Sequence, residues 1–492
     1  MIKSIGLFLC LHLISINPAF AQFDFNPNCR AAYTEIINLR LEKAKQLIAI
    51  EKQENPTNHI SVLLDSYTDF VEVYLLENQA GFQRLQANKD KRLEQIKAAA
   101  DSPYKLYIQA EIQLHSTFAK LKNRDYFSAF FDMRQAYNLA HSNYKRYPQF
   151  KPNIKLIGLL NVFIGMVPAK YKWGLQLFGM NGNLVYGMNI LKRLSLEAGI
   201  YKTENTLLYA SLLLYIDNKP EEAYKVLTQG GFPIKNSLLS HYSFATMALY
   251  GKHPDEAIST LNHAINTYTA NKGYVPFPYL NYLLGTATLA KLDTAAITFY
   301  KRFLVSYKGA NHIKSAYQKM AWAKLIAGDK AGYRAYIDSV GKLGNTLIDA
   351  DKQAQNEFEL NQAPHLALLK SRLLFDGGYY TQALAAIDAM AENEPADFAL
   401  LLEQIYRKGR IYDEMGNTNA AIAAYKKTIE QGEDSPIYYA ANAALHLGYL
   451  YEKEGNIEQA IYFFEKSMDM KNHEYKSGID QKAKAALERL EK

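Results

Sequence analysis

Small and large apolar residues recur four positions apart at many places along the chain, as in Ala421 with Tyr425 and Ala460 with Phe464. A spacing of four positions keeps side chains on one face of a helix, so the pattern predicts a long succession of helices. Strand-forming Val and Thr are sparse and never alternate with polar residues for long, which argues against a large sheet. The pattern therefore predicts an all-α fold.

The C-terminal part of the chain repeats itself at a fixed offset. The segment that begins at Ala421 returns 39 positions later at Ala460. The same offset relates three further pairs: Gly409 and Gly448, Tyr412 and Tyr451, Gly416 and Gly455. Self-similarity at one period is the signature of a repeat architecture, in which each unit packs on its neighbours.

One unit is similar to a known repeat. The motif LGYLY at 447–451, followed by Ala460 and Phe464, resembles the core of the tetratricopeptide repeat (TPR). The resemblance is strongest over 364–470 and continues over 206–310. It implies a right-handed superhelical solenoid of about 11–12 helix pairs, each of ~34–39 residues.

On this basis the chain divides into a leader, two helical regions, a polar connection and a C-terminal repeat array. These five predicted segments are the signal peptide 1–21, the N-terminal helical repeat region 22–205, the middle TPR-like repeats 206–341, the polar connecting helix or loop 342–363, and the TPR array 364–492.

The first residues have the layout of a secretory signal peptide. Lys3 provides a positive start, 5–16 an apolar core and 19–21 a small-x-small cleavage site, which predicts a mature chain that begins at Gln22. Bulky residues precede Cys10, so a lipid anchor is not expected. Without the leader, Cys29 is the one remaining cysteine, and it has no partner for an intrachain disulfide. We therefore predict export to the periplasm, or to the periplasmic face of the outer membrane, of a Gram-negative bacterium.

The segment 156–191 is the most hydrophobic stretch of the mature chain, lacks acidic residues and is flanked by basic ones. Two interpretations compete. The favoured one is a buried hairpin, because apolar runs of about 10–14 residues are more often core helices than membrane elements. The other is a monotopic element that dips into a bilayer. Its predicted membrane-contact residues are Leu159, Phe163, Tyr171 and Trp173.

The glycines and amides of this segment carry a second resemblance. Gly158, Asn161, Pro168, the pair at 182–183 and Gly187 are spaced as in the eukaryotic inclusion-body-clearance family of TPR proteins. The resemblance implies a helical repeat protein that acts in cargo handling or at lipid surfaces, with no catalytic residues to carry over.

Charge and motifs exclude several classes of function. The 56 basic and 49 acidic residues give a net charge of +7, too small a surplus over this length to indicate a nucleic-acid partner. No nucleophile, metal or nucleotide motif is present, so we expect neither an enzyme nor a cofactor nor a bound metal. The turn at 253–256 places two acidic residues at the start of a helix, which is typical of capping.

The TPR resemblance places the first helix of each pair on a concave face. Residues beside the packing glycine should then point into a groove: His365, Arg372, Phe375, Tyr406, Arg410, Asp413, Asn442, His446 and Tyr449. Tyr and Arg dominate binding hot spots, so a protein or peptide partner is expected there. The superfamily's carboxylate clamp is not reproduced, because Tyr406 and Arg410 stand where its Lys and Asn would be.

The predicted function is therefore a non-catalytic interaction scaffold of the cell envelope. Two alternatives remain open: a membrane- or lipid-associated adaptor that uses 156–191, and a glycan-binding component of nutrient uptake. The nutrient-uptake proteins that use such repeats are lipoproteins, which disfavours the second alternative.

Overall fold

The computed structural model describes residues 22–77, 79–167, 169–229, 232, 237–268, 273–390 and 397–490, and only the backbone of residues 76, 169–171 and 488. This part of the chain holds 25 helices and no strand, which confirms the all-α prediction. The first thirteen are α1 (Pro27–Ile37), α2 (Leu41–Glu54), α3 (Ile60–Leu76), α4 (Gln79–Lys97), α5 (Pro103–Lys122), α6 (Tyr126–Arg146), α7 (Lys151–Gly165), α8 (Ala169–Leu177), α9 (Leu184–Leu196), α10 (Lys202–Tyr215), α11 (Pro220–Gln229), α12 (Leu238–Tyr250) and α13 (Pro254–Tyr268). The others are α14 (Tyr279–Ala290), α15 (Ala296–Ser306), α16 (Ile313–Ile326), α17 (Lys330–Lys342), α18 (Asp349–Leu360), α19 (Leu366–Asp376), α20 (Tyr380–Asp388), α21 (Phe398–Glu414), α22 (Thr418–Gly432), α23 (Tyr439–Lys453), α24 (Ile457–Asp469) and α25 (Lys476–Leu490).

The chain forms two compact units. The N-terminal unit comprises Met1–Gly251, Thr260–Phe277 and Tyr307–Gly309, and the C-terminal unit comprises Lys252–Ser259, Pro278–Ser306 and Ala310–Lys492. The segments predicted from the sequence cut the chain at other points and stay predictions. The predicted signal peptide lies outside the described residues.

In both units the helices pack as pairs of sequence neighbours, such as α1 with α2, α5 with α6, α14 with α15, α21 with α22 and α23 with α24. The pairs α21–α22 and α23–α24 share one packing device, a glycine on the first helix and an aromatic ring on the second. A Cβ on Gly448 would lie 2.6 Å from the ring of Phe464, and a Cβ on Gly409 would lie 2.8 Å from that of Tyr425. Only glycine allows this approach, which explains the repeat offset.

The turns between paired helices also repeat. Gly416 and Gly455 have φ angles of 73° and 78°, in the left-handed region that glycine tolerates best. The residue after each glycine is an asparagine whose side chain caps the next helix. Asn417 accepts from the amide of Ala420 at 3.3 Å, and Asn456 accepts from the amide of Gln459 at 3.2 Å.

The apolar segment 156–191 forms parts of α7 and α9 with the short helix α8 between them. Leu159 is 8% exposed, and α7 packs along α9. The two backbones nearly touch, because a Cβ on Gly187 would lie 2.6 Å from the carbonyl oxygen of Gly158. Helix α7 thus follows the buried-hairpin interpretation, whereas α8 and α9 each have an exposed face, with Trp173 and Val185 both 69% exposed. No described helix is both long enough and apolar enough to span a bilayer.

The predicted polar connection 342–363 contains α18, which packs against α16 and α17. Asp351 is fully buried there and accepts from the backbone amides of His312 at 2.7 Å and Ser315 at 2.9 Å. The first amides of a helix have no carbonyl partner within it, so α18 supplies the N-terminal cap that α16 lacks in its own sequence.

A buried ionic cluster holds the N-terminal unit together. The Nζ of Lys155 on α7 lies 2.7 Å from Glu111 on α5 and 2.8 Å from Glu204 on α10. Tyr67 on α3 accepts from the Lys155 ammonium at 2.8 Å, and Tyr33 on α1 donates to Glu204 at 2.5 Å. One lysine thereby joins the first helices of five successive pairs, which we call the Lys155 cluster.

The protonation states in this cluster follow from its burial. Burial alone lowers the pKa of Lys155, but the carboxylates of Glu111 and Glu204 outweigh it and hold that pKa well above its usual range. Burial, and then the Lys155 charge, lowers the pKa of His115 to about 3. Lys155 is therefore charged and His115 neutral at neutral pH.

Cys29 lies within the N-terminal unit and is fully buried. Burial, and then the charges of Glu51 and Asp24, raises the pKa of its thiol to about 12. A thiol that stays protonated is a poor nucleophile.

Candidate functional site

A large open cavity lies within the C-terminal unit. Its volume is about 1030 Å³, and first helices of successive pairs line it, together with α18 and α25. We call it the C-terminal groove; the side chains that dominate it are Trp322, Glu357, Arg372, Phe375, Glu403, Tyr406, Arg407, Arg410, Tyr438, Tyr439, Asn442, Tyr475 and Lys482. Six aromatic rings and four basic side chains therefore share one surface with five carboxylates, those of Glu357, Asp376, Asp397, Glu403 and Glu474.

The structure brings together six of the nine residues predicted for a groove. These six line the cavity: His365, Arg372, Phe375, Tyr406, Arg410 and Asn442. They come from α19, α21 and α23, the first helices of three successive pairs, with His365 at the N-cap of α19. The other three lie elsewhere.

Tyr406 is the centre of the groove's hydrogen bonding. Its hydroxyl accepts from the side-chain amide of Asn442 at 2.6 Å and from the Arg410 guanidinium at 3.3 Å. Its ring stacks on Tyr439 with centroids 5.2 Å apart. Tyr406 is only 4% exposed, so it orients Asn442 and Arg410 through its hydroxyl rather than offering its own ring to a ligand.

The three arginines of the groove differ in their partners. Arg407 forms a two-nitrogen ion pair with Glu403, and its Nε donates at 2.6 Å. Arg372 instead stacks over Trp322 at 4.5 Å, and no described residue accepts a hydrogen bond from its buried Nη2. Arg410 stacks over Phe375 at 5.3 Å and donates only to a hydroxyl. No described carboxylate forms an ion pair with Arg372 or Arg410, although Asp376 acts on Arg372 and Glu414 on Arg410 from a longer distance.

The pKa shifts agree with this difference. Burial, and then repulsion from Arg407, lowers the pKa of Arg372. Burial also opposes the charge on Arg410, but the hydroxyls of Tyr406 and Tyr425 outweigh it and raise the pKa of that guanidinium. Because arginine starts from a very high pKa, both side chains keep their charge at neutral pH. The groove thus presents two cations that an anionic ligand would neutralise.

The remaining three predicted residues pack between helices. Asp413 accepts from the hydroxyl of Tyr425 at 3.0 Å, and burial raises the pKa of its carboxyl. His446 lies 6.0 Å from the Tyr425 ring, and burial keeps its pKa well below the usual value. Tyr449 contacts Phe464 edge-on at 5.1 Å. None of the three lines the cavity.

Several groove residues were not expected from the sequence. Glu403 and Arg407 lie two turns and one turn before Arg410 on α21, so helical spacing could have placed them on the same face. Trp322 and Glu357 had no such signal. They meet in space, since the Trp322 Nε1 donates to the Glu357 carboxylate at 2.9 Å, but the glutamate belongs to the segment predicted as a polar connection.

The four predicted membrane-contact residues are dispersed. Leu159 is buried, and Phe163 is half-buried with its ring 4.9 Å from Phe118. Trp173 on α8 is 69% exposed. The side chain of Tyr171 lies outside the described residues. No group of three His, Cys, Asp or Glu side chains that could hold a metal occurs among the residues described.

The tetratricopeptide repeat family model matches 405–431 and 441–474, the part of the chain that holds most of α21–α24. This match supports the tetratricopeptide superfamily, a repeat type that typically serves as a non-enzymatic scaffold for protein interactions. The two matched ranges begin at 405 and 441, so their limits do not coincide with those of repeat units spaced by 39 residues. No curated protein matches the sequence.

Several solved structures resemble the chain at low identity. They include the human IFIT1 dimer with PPP-AAAA (12% identity, 92% of each chain covered, TM-score 0.35) and yeast Tom70 (15% identity, 94% of this chain and 96% of that one, TM-score 0.24). A third is the TPR domain of P58(IPK), at 15% identity over 78% of this chain and 99% of that one, with a TM-score of 0.21. These likenesses carry no information about a ligand of this chain.

Proposed function

We propose that this chain is a non-catalytic interaction scaffold of the cell envelope that binds an extended protein segment in the C-terminal groove. The observation that carries the proposal is the convergence of aromatic and arginine side chains from α19, α21 and α23 on one cavity. Rigid aromatic rings and arginines provide most of the energy of protein interfaces, because they bury much area with little loss of freedom. Stacked repeats present these side chains in a row, which suits an extended partner.

The charges of the groove select among possible segments. Arg372 and Arg410 are held on aromatic rings and have no described carboxylate partner, whereas Arg407 is already paired. An arginine fork matches a carboxylate in geometry as well as charge. We therefore propose that the bound segment carries a carboxylate, either an acidic side chain or its own C-terminus.

An array of short synthetic peptides tests this proposal. The peptides vary in the number and position of Asp and Glu and end in either a free or an amidated carboxyl group. Binding to the mature protein should require a carboxylate and should fall about tenfold or more in Arg372→Gln/Arg410→Gln, because a charge-assisted hydrogen bond contributes ~1.5–3 kcal/mol. Fluorescence polarisation of the best peptides gives the affinities.

Arg489→Gln is the matched control, since Arg489 pairs with Glu452 in the same unit but does not line the groove. It should leave peptide affinity unchanged. A preference for basic or uncharged peptides, or an equal loss of affinity in both variants, would contradict the groove proposal. The amidated peptides distinguish recognition of a C-terminus from recognition of an acidic side chain.

Export is the second part of the proposal, and it makes a separate prediction. The protein isolated from its own cells should begin at Gln22, as a mass spectrum of the intact chain would show, with allowance for cyclisation of the terminal glutamine. Gln22 is docked in the fold: its carbonyl accepts from the amide of His59 and its side chain from that of Ala100, both at 2.8 Å. Cleavage before Gln22 keeps both bonds. An intact Met1 terminus would rule out this processing.

The other functional alternatives have different support. Glycan binding stays a prediction, and no described residue adds to it. The absence of a nucleic-acid partner likewise stays a prediction from the small net charge of +7. Leu159 is buried and therefore does not support the lipid alternative, whereas the exposed apolar face of α8 does support it.

A further inference from the structure

An exposed apolar surface lies on the N-terminal unit, where α6 begins and α8 ends. Phe127 is 77% exposed, Leu177 is 76% exposed, and Phe131 and Phe178 are also exposed. Trp173 lies one turn before Leu177, on the same face of α8. We call these five side chains the aromatic patch. Large apolar side chains that cluster on a surface mark a site of interaction, because isolated ones are ordinary but groups are rare.

Ring contacts join the start of α6 to the residue that follows α8. The Phe127 and Phe131 centroids are 5.0 Å apart, and Phe130 lies 5.4 Å from Phe131 and 5.2 Å from Phe178. Phe178 directly follows Leu177, the last residue of α8, so the phenylalanines of α6 and the end of α8 belong to one surface.

Basic side chains predominate around the patch, and Asp132, which follows Phe131, is buried and paired with Lys89 and Lys120. Residues 133–196 contain nine Lys or Arg and no Asp or Glu. Three of the nine are paired with carboxylates elsewhere in the unit: Arg146, Lys151 and Lys155. At the patch itself, Arg134 lies 5.1 Å from the centre of the Phe178 ring, and Lys172 is exposed on α8. Asp125, the acidic residue nearest to Phe127 in sequence, caps α6 by accepting from the amide of Ser128.

We propose that the aromatic patch rests on the surface of a bilayer that contains anionic lipids, with Trp173, Leu177 and Phe127 inserted at the level of the headgroups. An interfacial helix of this kind combines Trp, Phe and Leu on one face with Lys and Arg beside it, which is the composition of α8 and its surroundings. The basic side chains meet lipid phosphates while the apolar ones leave water. Leu177 and Phe127 offer nothing to a phosphate backbone, so a lipid surface fits this patch better than an RNA does.

This inference is independent of the peptide groove, since every residue of the patch belongs to the N-terminal unit. It keeps Trp173 from the lipid contact predicted from the sequence but does not use Leu159 or Phe163. The insertion falls on α8 and the start of α6, whereas the apolar helix α7 is buried.

The fluorescence of Trp173 can report the insertion of the patch into a bilayer. The chain has two tryptophans, and Trp322 is 8% exposed. Vesicles of equal parts phosphatidylglycerol and phosphatidylcholine should shift the tryptophan emission of the mature protein to shorter wavelength, and brominated lipids should quench it. Trp173→Phe should keep vesicle binding in a sedimentation assay but lose the shift. Binding should weaken as salt is raised to 1 M, where the Debye length falls to about 3 Å.

The decisive variant is Trp173→Ser/Leu177→Ser, which should lower the vesicle partition coefficient about tenfold or more. Transfer of each of these exposed apolar side chains from water to the bilayer is favourable, and serine removes that contribution. The matched control is Val305→Ser/Tyr462→Ser, which removes an aliphatic and an aromatic side chain that are 79% and 52% exposed in the C-terminal unit. Circular dichroism checks that both variants keep their helices.

Each other outcome overturns the proposal. Equal loss of binding in the two variants would mean that exposed apolar area in general, and not this patch, binds lipid. Equal binding to pure phosphatidylcholine vesicles would remove the role of the basic residues. A patch that leaves the Trp173 emission unchanged by vesicles, but whose serine variant abolishes self-association in sedimentation velocity, would be a contact between two copies of the chain.

Discussion

Lys155→Ala should destabilise the N-terminal unit by about 3–5 kcal/mol, because it leaves the buried Glu111 and the partly buried Glu204 without a counter-ion. Lys155 is within 2.8 Å of both Glu111 and Glu204, and its side chain is 5% exposed. Urea unfolding followed by circular dichroism measures the effect as a lower midpoint of the transition that belongs to this unit.

Two further variants separate charge from packing in this prediction. Lys151→Ala, one turn earlier on α7, removes an exposed ion pair with Glu197 and should cost no more than about 1 kcal/mol. Adding Glu111→Gln and Glu204→Gln to Lys155→Ala should restore part of the loss, since no unpaired charge then remains buried. If all three lysine variants melted alike, the Lys155 cluster would not support the unit.

Gly448→Trp should strongly destabilise the C-terminal repeat array. Even a Cβ at Gly448 would lie 2.6 Å from the Phe464 ring, and Phe464 is fully buried, so neither the ring nor an indole has space to move. Modest overpacking costs about 1–3 kcal/mol, and an indole at this crossing should exceed that range. Ala460→Trp should act in the same way, because Ala460 is fully buried on the partner helix. Thermal melting of the variants measures both effects.

Gly478→Trp is the control for this prediction. Gly478 is also within a helix of the C-terminal unit, but a Cβ there would meet no atom within 4 Å. Its melting temperature should stay close to that of the unchanged protein. Unchanged melting in Gly448→Trp would mean that the repeat register deduced from the sequence is incorrect.

The repeat register could be predicted because its physical cause is local. The glycine and the ring that cross are 16 positions apart in both repeats, Gly409 with Tyr425 and Gly448 with Phe464, so one short motif specifies the contact. Part of the groove was predictable for the same reason. Arg410, for example, faces the groove from a helix whose inner side could be identified from its glycine.

The three misplaced groove residues show where this argument stops. Asp413, His446 and Tyr449 were chosen for their closeness to a packing glycine. The rings that fill the space above those glycines, Tyr425 and Phe464, contact these same neighbours. Closeness to the glycine therefore selects residues of the helix crossing as well as residues of the groove.

Other features had no local signal at all. Glu357 reaches Trp322 from 35 positions away, and Lys155 reaches Glu204 from 49 positions away. The burial of α7 and the exposure of α8 also depend on contacts between distant residues, although α8 is the less apolar of the two helices. Their difference depends on the glycines that let α7 approach α9.

The Lys155 cluster sets an order of events for a chain that emerges with its N-terminus first. Glu111 is available as soon as α7 is complete, but Glu204 follows only with α10, and Tyr33 donates to that last carboxylate. In a repeat array each unit usually contacts only its neighbours, so folding can begin at any unit and spread to the next. Here the shared interior of the first five pairs is complete only after α10 has folded and has placed Glu204 beside Lys155. We therefore expect them to fold as one cooperative body, so that a nascent or truncated chain that ends before residue 204 would be left open to proteases and chaperones.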